Sequence, residues 1–233
     1  MKNLLSNEKL DWSDTVANSS MNRKRKAIGV NSYEKAIDLN VVNYLEQLFK
    51  QQPKIAWLDV CCGEGNALIE TASFLNKKYG ADNIRLDGVD LVNYYQVFPS
   101  TLSNIRFHTG PIRNWKATVS YDLITCVHGL HYIGDKLQVI SQLLSYLKED
   151  GLFVGNFDLA SIVDEENKSL KKLVGAYWKK NGLGYLNRKK LLWHKGKVTL
   201  KPLLRYLGAD DRAGPNYTGQ RAVLSCYSRD FGS

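Results

Sequence analysis

The residues best suited to chemistry lie in one short stretch, Trp57 to Ala67, which reads WLDVCCGEGNA. An apolar run ends in the acidic Asp59, and Gly63 and Gly65 follow closely. Glycine has no Cβ, so the backbone can turn sharply there and approach a ligand. A dinucleotide-binding loop would read G-x-G-x-x-G, and a Walker loop would need Gly-Lys-Ser/Thr; the stretch contains neither. A carboxylate so placed suits a ligand with an ammonium group rather than a diphosphate.

Two histidines form a second candidate centre in the stretch Cys126 to Tyr132, CVHGLHY. An imidazole with a pKa near neutral can take a proton from a hydroxyl or an amine, so His128 and His131 are candidate general bases. The alternative for each is a hydrogen bond to backbone or a place in a pocket wall. Cys126 and the two histidines would also suit a metal by residue type. However, a strand-to-turn backbone rarely aims three side chains inward, and no fourth ligand is evident.

Cysteine usage and hydropathy bear on the compartment. Cys61 and Cys62 could be nucleophiles, but small buried residues in a tight loop explain them better. Together with Cys126 and Cys226 they lack the spacing of a disulfide framework, which favours a reducing compartment. The first residues turn polar too early for a secretory signal, and no apolar run approaches the roughly 18 residues that span a bilayer. We therefore expect a cytoplasmic protein with no membrane partner.

Hydrophobic periodicity predicts the elements that position these residues. Apolar residues recur at helical spacing from Asn31 to Lys50, where Asn31 and Glu34 resemble a capping box. Short apolar runs then alternate with helical stretches. The predicted strands are 54–60, 84–91, 105–110, 121–128 and 152–157, with helices at 66–79 and 135–147. Continuous apolar strands separated by helices predict a parallel sheet covered on both faces.

Two further regions flank this pattern. Residues 1–30 are polar with little periodicity, and we expect an arm that could cap a site or simply fray. A basic insertion at about 160–197 precedes two strand-like runs, 198–207 and 222–227. These runs predict an antiparallel hairpin at the edge of the sheet. The chain has no internal repeat, so residues 31–233 are expected to form a single domain.

At its glycine-containing loop the sequence resembles the class I S-adenosylmethionine-dependent methyltransferases. The first motif of that family is D/E-x-G-x-G-x-G after strand one, and the stretch from Asp59 to Gly65 matches three of its four defining positions. Cys61 stands where the first glycine usually lies. The resemblance covers roughly residues 50–160 and the terminal hairpin. It implies a Rossmann-like, doubly wound α/β fold: a seven-stranded, mostly parallel sheet with a C-terminal antiparallel hairpin.

The resemblance also implies a binding site for S-adenosylmethionine. Asp90 falls where the family places an acid that binds both ribose hydroxyls. The turn 107–112 resembles the one that contacts adenine, but Pro111 replaces the usual carboxylate partner of the adenine amine. The predicted cofactor-binding residues are Asp59, Cys61, Gly63, Gly65, Asp90, Leu91, Pro111, Ile112 and Val127.

Ligands gather at the carboxyl ends of strands in open α/β sheets, which is where the predicted fourth strand places His128 and His131. Both are therefore the candidate catalytic residues. Tyr132, in the same turn, and Tyr217, in the hairpin loop, are candidate acceptor-binding residues, with ordinary packing as the alternative for each. No metal is expected.

The net charge of +9 is concentrated in one segment. Residues 168–205 hold 12 Lys or Arg and no Asp or Glu, whereas the rest of the chain has 20 basic residues against 23 acidic ones. One explanation is a solvated, mobile surface. The other is an electropositive wall for an anionic acceptor or a nucleic acid.

The sequence therefore predicts a methyltransferase acting on oxygen or nitrogen of a small molecule, which could be anionic. An RNA methyltransferase using the basic 168–205 segment is the alternative, although CVHG is not the Asn/Asp-Pro-Pro-Tyr/Phe motif of amino-methylating nucleic-acid enzymes. A non-enzymatic binding module is the third candidate, and the presence of Asp59, Gly63, Gly65 and Asp90 counts against it. The acceptor, the methylated atom and the oligomeric state are left open.

Overall fold

Five strands and the two helices predicted between them, 66–79 and 135–147, form in the middle of the chain. A computed structural model describes residues 4–19 and 23–229; the rest of the predicted arm, 1–3 and 20–22, lies outside the described residues. The helices are α1 (Asn7–Asp11), α2 (Asp14–Ala17), α3 (Tyr33–Ile37), α4 (Val41–Phe49), α5 (Asn66–Tyr79), α6 (Lys136–Ser145) and α7 (Lys171–Lys180). The strands are β1 (Ile55–Val60), β2 (Ile84–Asp90), β3 (Ile105–Thr109), β4 (Tyr121–Cys126), β5 (Leu147–Asn156), β6 (Ile162–Val163), β7 (Gly184–Leu186), β8 (Leu191–Lys195), β9 (Arg205–Asp210) and β10 (Leu224–Ser228).

The main sheet has seven strands in the order β3-β2-β1-β4-β5-β8-β7. Strands β1 to β5 run parallel, β8 pairs antiparallel with β5, and β7 pairs antiparallel with β8. The strand order reverses between β1 and β4, which is the switch point of a doubly wound sheet. This arrangement confirms the predicted Rossmann-like, seven-stranded, mostly parallel fold.

Alternate residues of the central strands face two separate cores. Every residue of β1 and of β4 is buried. Leu58 and Val60 pack with residues of α6 and α7 on one face, while Trp57 packs with residues of α4 and α5 on the other. Because side chains alternate along a strand, the unbroken apolar run of β1 is what a strand covered on both sides requires.

The helix predicted from Asn31 to Lys50 is two helices. Asp38 follows α3 with a φ of 54°, a left-handed conformation that ends the helix. The cap of α3 is Ser32, whose hydroxyl accepts a hydrogen bond from the Lys35 amide at 3.3 Å, rather than Asn31. Periodicity alone did not reveal this break because the apolar spacing continues across it.

The predicted place of the C-terminal hairpin is wrong, although the hairpin forms. Strands β9 and β10 pair antiparallel but join β6 in a separate three-stranded sheet. The main sheet is completed by β8 and β7, both within the predicted basic insertion. Leu191 and Leu192 are buried there, whereas Lys195 is exposed, so a lysine-rich sequence concealed an inward-facing strand.

No helix in the described part of the chain has the length and apolar character needed to cross a membrane.

Candidate functional site

A cavity lies at the carboxyl ends of the parallel strands, and it and its open mouth together hold about 940 Å³ of space between protein atoms. The loop after β1, the ends of β2 and β4 and the turn after β3 form its walls, and α1, α2 and the residues after them close another side. Of the predicted site residues, those that line the cavity are Cys61, Gly63, Asp90, Leu91, Pro111, Ile112, His128 and Tyr132. Open α/β sheets bind ligands at this place, beside the switch point.

Asp90, the last residue of β2, holds the loop after β1 in place. Its carboxylate accepts a hydrogen bond from the Gly63 amide at 2.8 Å and another from the Val92 amide at 3.2 Å. Burial raises the pKa of Asp90, while these hydrogen bonds and the charge of Arg23 act in the opposite direction. The Arg23 guanidinium lies 4.0 Å from the centre of the Tyr94 ring, so the cavity wall beside Asp90 carries a fixed positive charge.

The loop after β1 is closely packed. Gly65 has a φ of 76°, and a Cβ added to it would lie 2.2 Å from the Phe107 ring. The ring itself is stacked on Tyr95 at 4.3 Å between centroids, which limits its movement. Gly65 does not line the cavity. It lets the start of α5 pack against β3.

Cys61 is accommodated by Gly129, which lies directly beside it on the cavity wall. A Cβ added to Gly129 would lie 2.3 Å from the Cys61 Cβ, so the small residue after β4 makes room for the side chain that replaces a family glycine. A hydrogen bond with Cys126 and burial raise the pKa of the Cys61 thiol, and burial raises that of Cys62. Both thiols are therefore protonated at neutral pH, and neither is an activated nucleophile.

Asp59 lies beneath the loop rather than on the cavity surface. It is fully buried, and its carboxylate accepts hydrogen bonds from the Tyr33 hydroxyl at 2.7 Å and the Thr125 hydroxyl at 2.6 Å. The Trp57 indole donates to the Thr125 hydroxyl at 2.8 Å. Burial raises the pKa of Asp59 to about 7. Asp59 and Asp90 belong to neighbouring parallel strands, but only Asp90 faces the cavity.

The two histidines differ in their access to the cavity. His128, with a φ of 59°, lines it, whereas His131 is 1% exposed and lies behind, with 5.8 Å between the ring centroids. Burial, with the charge of Arg25, lowers the pKa of His128 to about 4; burial, with His128 and Lys136, lowers that of His131 to about 3. Both imidazoles are neutral at pH 7. His128 Nδ1 and His131 Nε2 are buried without a hydrogen-bond partner among the described residues; only His128 lines the cavity, so a ligand there could supply the missing partner of His128 alone.

The other predicted residues are not all at the cavity. Tyr132 lines it, but Tyr217 packs edge-on against His131, with 5.5 Å between ring centroids. Val127 is fully buried in the core. The predicted residues that do not line the cavity are therefore Asp59, Gly65, Val127, His131 and Tyr217. In the described part of the chain, no group of three or more His, Cys, Asp or Glu could hold a metal ion.

Sequence reasoning missed several cavity residues. Asn7 and Asp11 of α1 and Asp135 at the start of α6 line the cavity, but none belongs to a recognisable motif. The only signal was general: a polar N-terminal arm that could close over a site. Thr125, which orients Asp59, was missed because a threonine within an apolar strand has no distinctive pattern.

Comparison with known proteins gives partial similarities to solved structures. Curated proteins give no match to the sequence. Solved structures that are similar in part include SAM-bound CalS10 from Micromonospora echinaspora, an amino pentose methyltransferase (19% identity over 49% of this chain and 48% of that one, TM-score 0.35). YjhP from E. coli is 17% identical over 62% of this chain and 64% of that one, with a TM-score of 0.41. A methyltransferase from Clostridium acetobutylicum is 20% identical over 51% and 50%, with a TM-score of 0.36.

The chain spans between 48% and 64% of the length of these three structures. A family model described as a methyltransferase domain matches residues 33–205, well over half of the chain. The matched region includes β1 to β5, the loop after β1, Asp90 and both histidines. The chain therefore belongs to this methyltransferase domain family.

Proposed function

We propose that this chain is an S-adenosylmethionine-dependent methyltransferase that acts on oxygen or nitrogen of a small-molecule acceptor. The observation that carries the proposal is Asp90, a carboxylate that ends β2, lines the cavity and is oriented by the Gly63 amide. An oriented carboxylate beside a close-packed turn suits a ligand with adjacent hydroxyls, such as a ribose.

The residues around Asp90 fit the rest of this cofactor. Leu91 and Ile112 offer apolar surfaces to an adenine ring, and Cys61 and Gly63 line the same cavity. Arg23 adds a positive charge suited to a carboxylate. When bound, the cofactor supplies a methyl group on a positively charged sulfur.

The chain has to orient the acceptor, exclude water and receive a proton where the acceptor loses one. His128 lies on the cavity wall, and its neutral ring can accept a hydrogen bond from a hydroxyl or an amine. A pKa of about 4 makes His128 a weak base, so orientation of the acceptor is its larger contribution. His131 and Tyr217 extend this polar wall away from the cavity, and Tyr132 contributes to the wall itself.

The distribution of charge favours a small acceptor over RNA. Arg25 is close enough to His128 to lower its pKa, so an acceptor with an anionic group would find a positive charge there. None of the 12 basic residues in 168–205 lines the cavity. These residues lie on α7, in the turn before β8, on β8, at the start of β9 and in the segments beside these elements, and most of them are exposed, so the basic segment is separate from the proposed chemistry.

Two measurements test the proposal. Calorimetric titration with S-adenosylhomocysteine should give one saturable binding event, and its absence would favour a binding module of another kind. Methyl-labelled S-adenosylmethionine should then transfer label to a metabolite extract treated with nucleases. If label transfer disappears with nuclease treatment and appears with bulk RNA, the RNA alternative is correct.

A further inference from the structure

Asp11 in α1 is held against the turn that follows β3. Its carboxylate accepts a hydrogen bond from Arg113 Nη1 at 2.6 Å, and its side chain is 15% exposed. Arg113 directly follows Pro111 and Ile112, and all three line the cavity together with Asp11. The salt bridge therefore joins α1 to the turn that the family resemblance assigns to adenine.

The position of α1 is fixed by contacts to two other elements. The Leu5 amide donates to the Ala209 carbonyl at 2.8 Å, and the Ala209 amide returns a bond to the Leu5 carbonyl at 3.0 Å. The Asn7 side-chain oxygen accepts from the Asp135 amide at 3.2 Å, and Leu10 is 1% exposed. Asp11 is thus presented by an ordered element.

An adenine ring bound at the turn after β3 would need a hydrogen-bond acceptor for its exocyclic amine. Its exocyclic amine is a donor, and a buried donor without a partner is costly. Pro111 has no side-chain acceptor and stands where the family usually has a carboxylate. Asp11 Oδ2 is bound by Arg113, while Oδ1 makes no hydrogen bond within the described residues. The cavity lining therefore includes a carboxylate oxygen without a hydrogen bond in the described residues, on a side chain held against the turn that contains Pro111.

We propose that Asp11 accepts the hydrogen bond from the 6-amino group of adenine, so that α1 supplies the carboxylate missing from the turn after β3. Arg113 is the positioning residue, because it holds Asp11 at that turn. A carboxylate there would also reject a purine with a 6-oxo group, since two acceptors would face each other. This inference rests on the proposed function, because it requires an adenosyl ligand in the cavity.

The test compares S-adenosylhomocysteine with S-inosylhomocysteine, which carries a 6-oxo group, by calorimetry. The wild-type protein should prefer the adenosyl ligand by about ten- to a hundredfold, the usual worth of a hydrogen bond to a charged group. Asp11→Ala should lose most of that preference, chiefly through weaker adenosyl binding. Glu8→Ala is the matched control: Glu8 lies in the same helix, 3.7 Å from Arg113, but is exposed and does not line the cavity. It should keep the preference.

The outcomes separate this inference from the proposed function. If the wild-type protein binds neither ligand, the proposed function fails. If it prefers the adenosyl ligand and Asp11→Ala keeps the whole preference, the role of Asp11 is wrong and the function stands. Equal weakening of both ligands in Asp11→Ala would also overturn the proposal, because Asp11 would then only close the cavity wall. Thermal unfolding of each variant shows whether α1 remains docked.

Discussion

Asp90 combines two tasks in one side chain, because it orients the loop after β1 and faces the cavity. Replacing it with alanine removes the acceptor of the Gly63 amide hydrogen bond and the carboxylate proposed to bind the ribose. We expect Asp90→Ala to weaken binding of S-adenosylhomocysteine by about a hundredfold, from the loss of charged hydrogen bonds. Calorimetry measures this directly.

Asp82→Ala is the control, because it removes an exposed acid just before β2 and should leave the affinity unchanged. Equal affinities for both variants would show that Asp90 is not the ribose ligand.

Individual site residues could be predicted from sequence when their role depends on local position. Asp90 ends β2 and Gly63 lies in the loop after β1, and parallel strands bring their carboxyl ends together, so both could be assigned to one edge of the sheet. The network around Asp59 could not be predicted, since Tyr33 and Thr125 reach it across 26 and 66 residues of sequence. The contact of Asp11 could not be predicted for the same reason, because its partner Arg113 is 102 residues away in sequence.

Among the secondary-structure elements, α5 offers a matched pair of glycines. Gly65 and Gly80 flank this helix with φ values of 76° and 78°, but only Gly65 has a ring within contact of an added Cβ. Gly80, with a ψ of 148°, meets no neighbouring ring, so Gly80→Ala should cost only backbone strain, about 1–3 kcal/mol of unfolding free energy. Gly65 is left-handed, with a ψ of 12°, so Gly65→Ala should cost about 1–2 kcal/mol of strain and a further ~1–3 kcal/mol because Phe107 is held by Tyr95 and cannot move aside. Denaturant unfolding measures both.

Ligand binding gives a second comparison for the same two variants. Gly65→Ala should also weaken S-adenosylhomocysteine binding, since a displaced α5 moves the loop before it, whereas Gly80→Ala should not. Similar losses of stability in the two variants would mean that Phe107 yields easily and does not fix the loop.

The parallel part of the sheet was predictable because β1 and β4 are fully buried, largely apolar runs and a helix follows each of them. The edge was not. Strand β8 has three buried positions within a lysine-rich stretch, so its inward-facing side was concealed by composition. Strands β9 and β10 had the expected pattern, but a hairpin pattern does not say which sheet it joins. The choice depends on β6, a two-residue strand too short to recognise in sequence.

Over the whole molecule, buried ionisable groups set the pH dependence of stability. Burial lowers the pKa of His131 to about 3 from an ordinary value of 6.5. Between these values the unfolded chain binds a proton that the folded chain does not, so this histidine lowers stability as the pH falls below 6.5. Asp59 acts oppositely: burial raises its pKa to about 7, so its contribution falls as the pH rises from 3.8 to 7.

Comparison of the wild-type protein with His131→Gln isolates the histidine. The unfolding free energy of the wild type, relative to that of the variant, should rise by on the order of 2 kcal/mol from pH 4.5 to pH 6.5. Urea unfolding at several pH values measures it. The readout is the slope with pH, so a constant loss of stability from altered packing does not affect it. Parallel pH profiles for the two proteins would contradict the lowered pKa.

The basic segment 168–205 is a surface property, and its effect should be separable from ligand binding. Lys179 and Lys180 are exposed in the last turn of α7, within this segment; Lys77 and Lys78 are exposed in the last turn of α5, outside it. Replacing both lysines of either pair with glutamate changes the net charge of the protein by the same amount. Local charge density governs binding to a polyanion, so K179E/K180E should elute from heparin at clearly lower salt than K77E/K78E. Affinity for S-adenosylhomocysteine should be unchanged in both, because neither pair lines the cavity. Equal elution of the two variants would mean that only net charge matters and that no basic face exists.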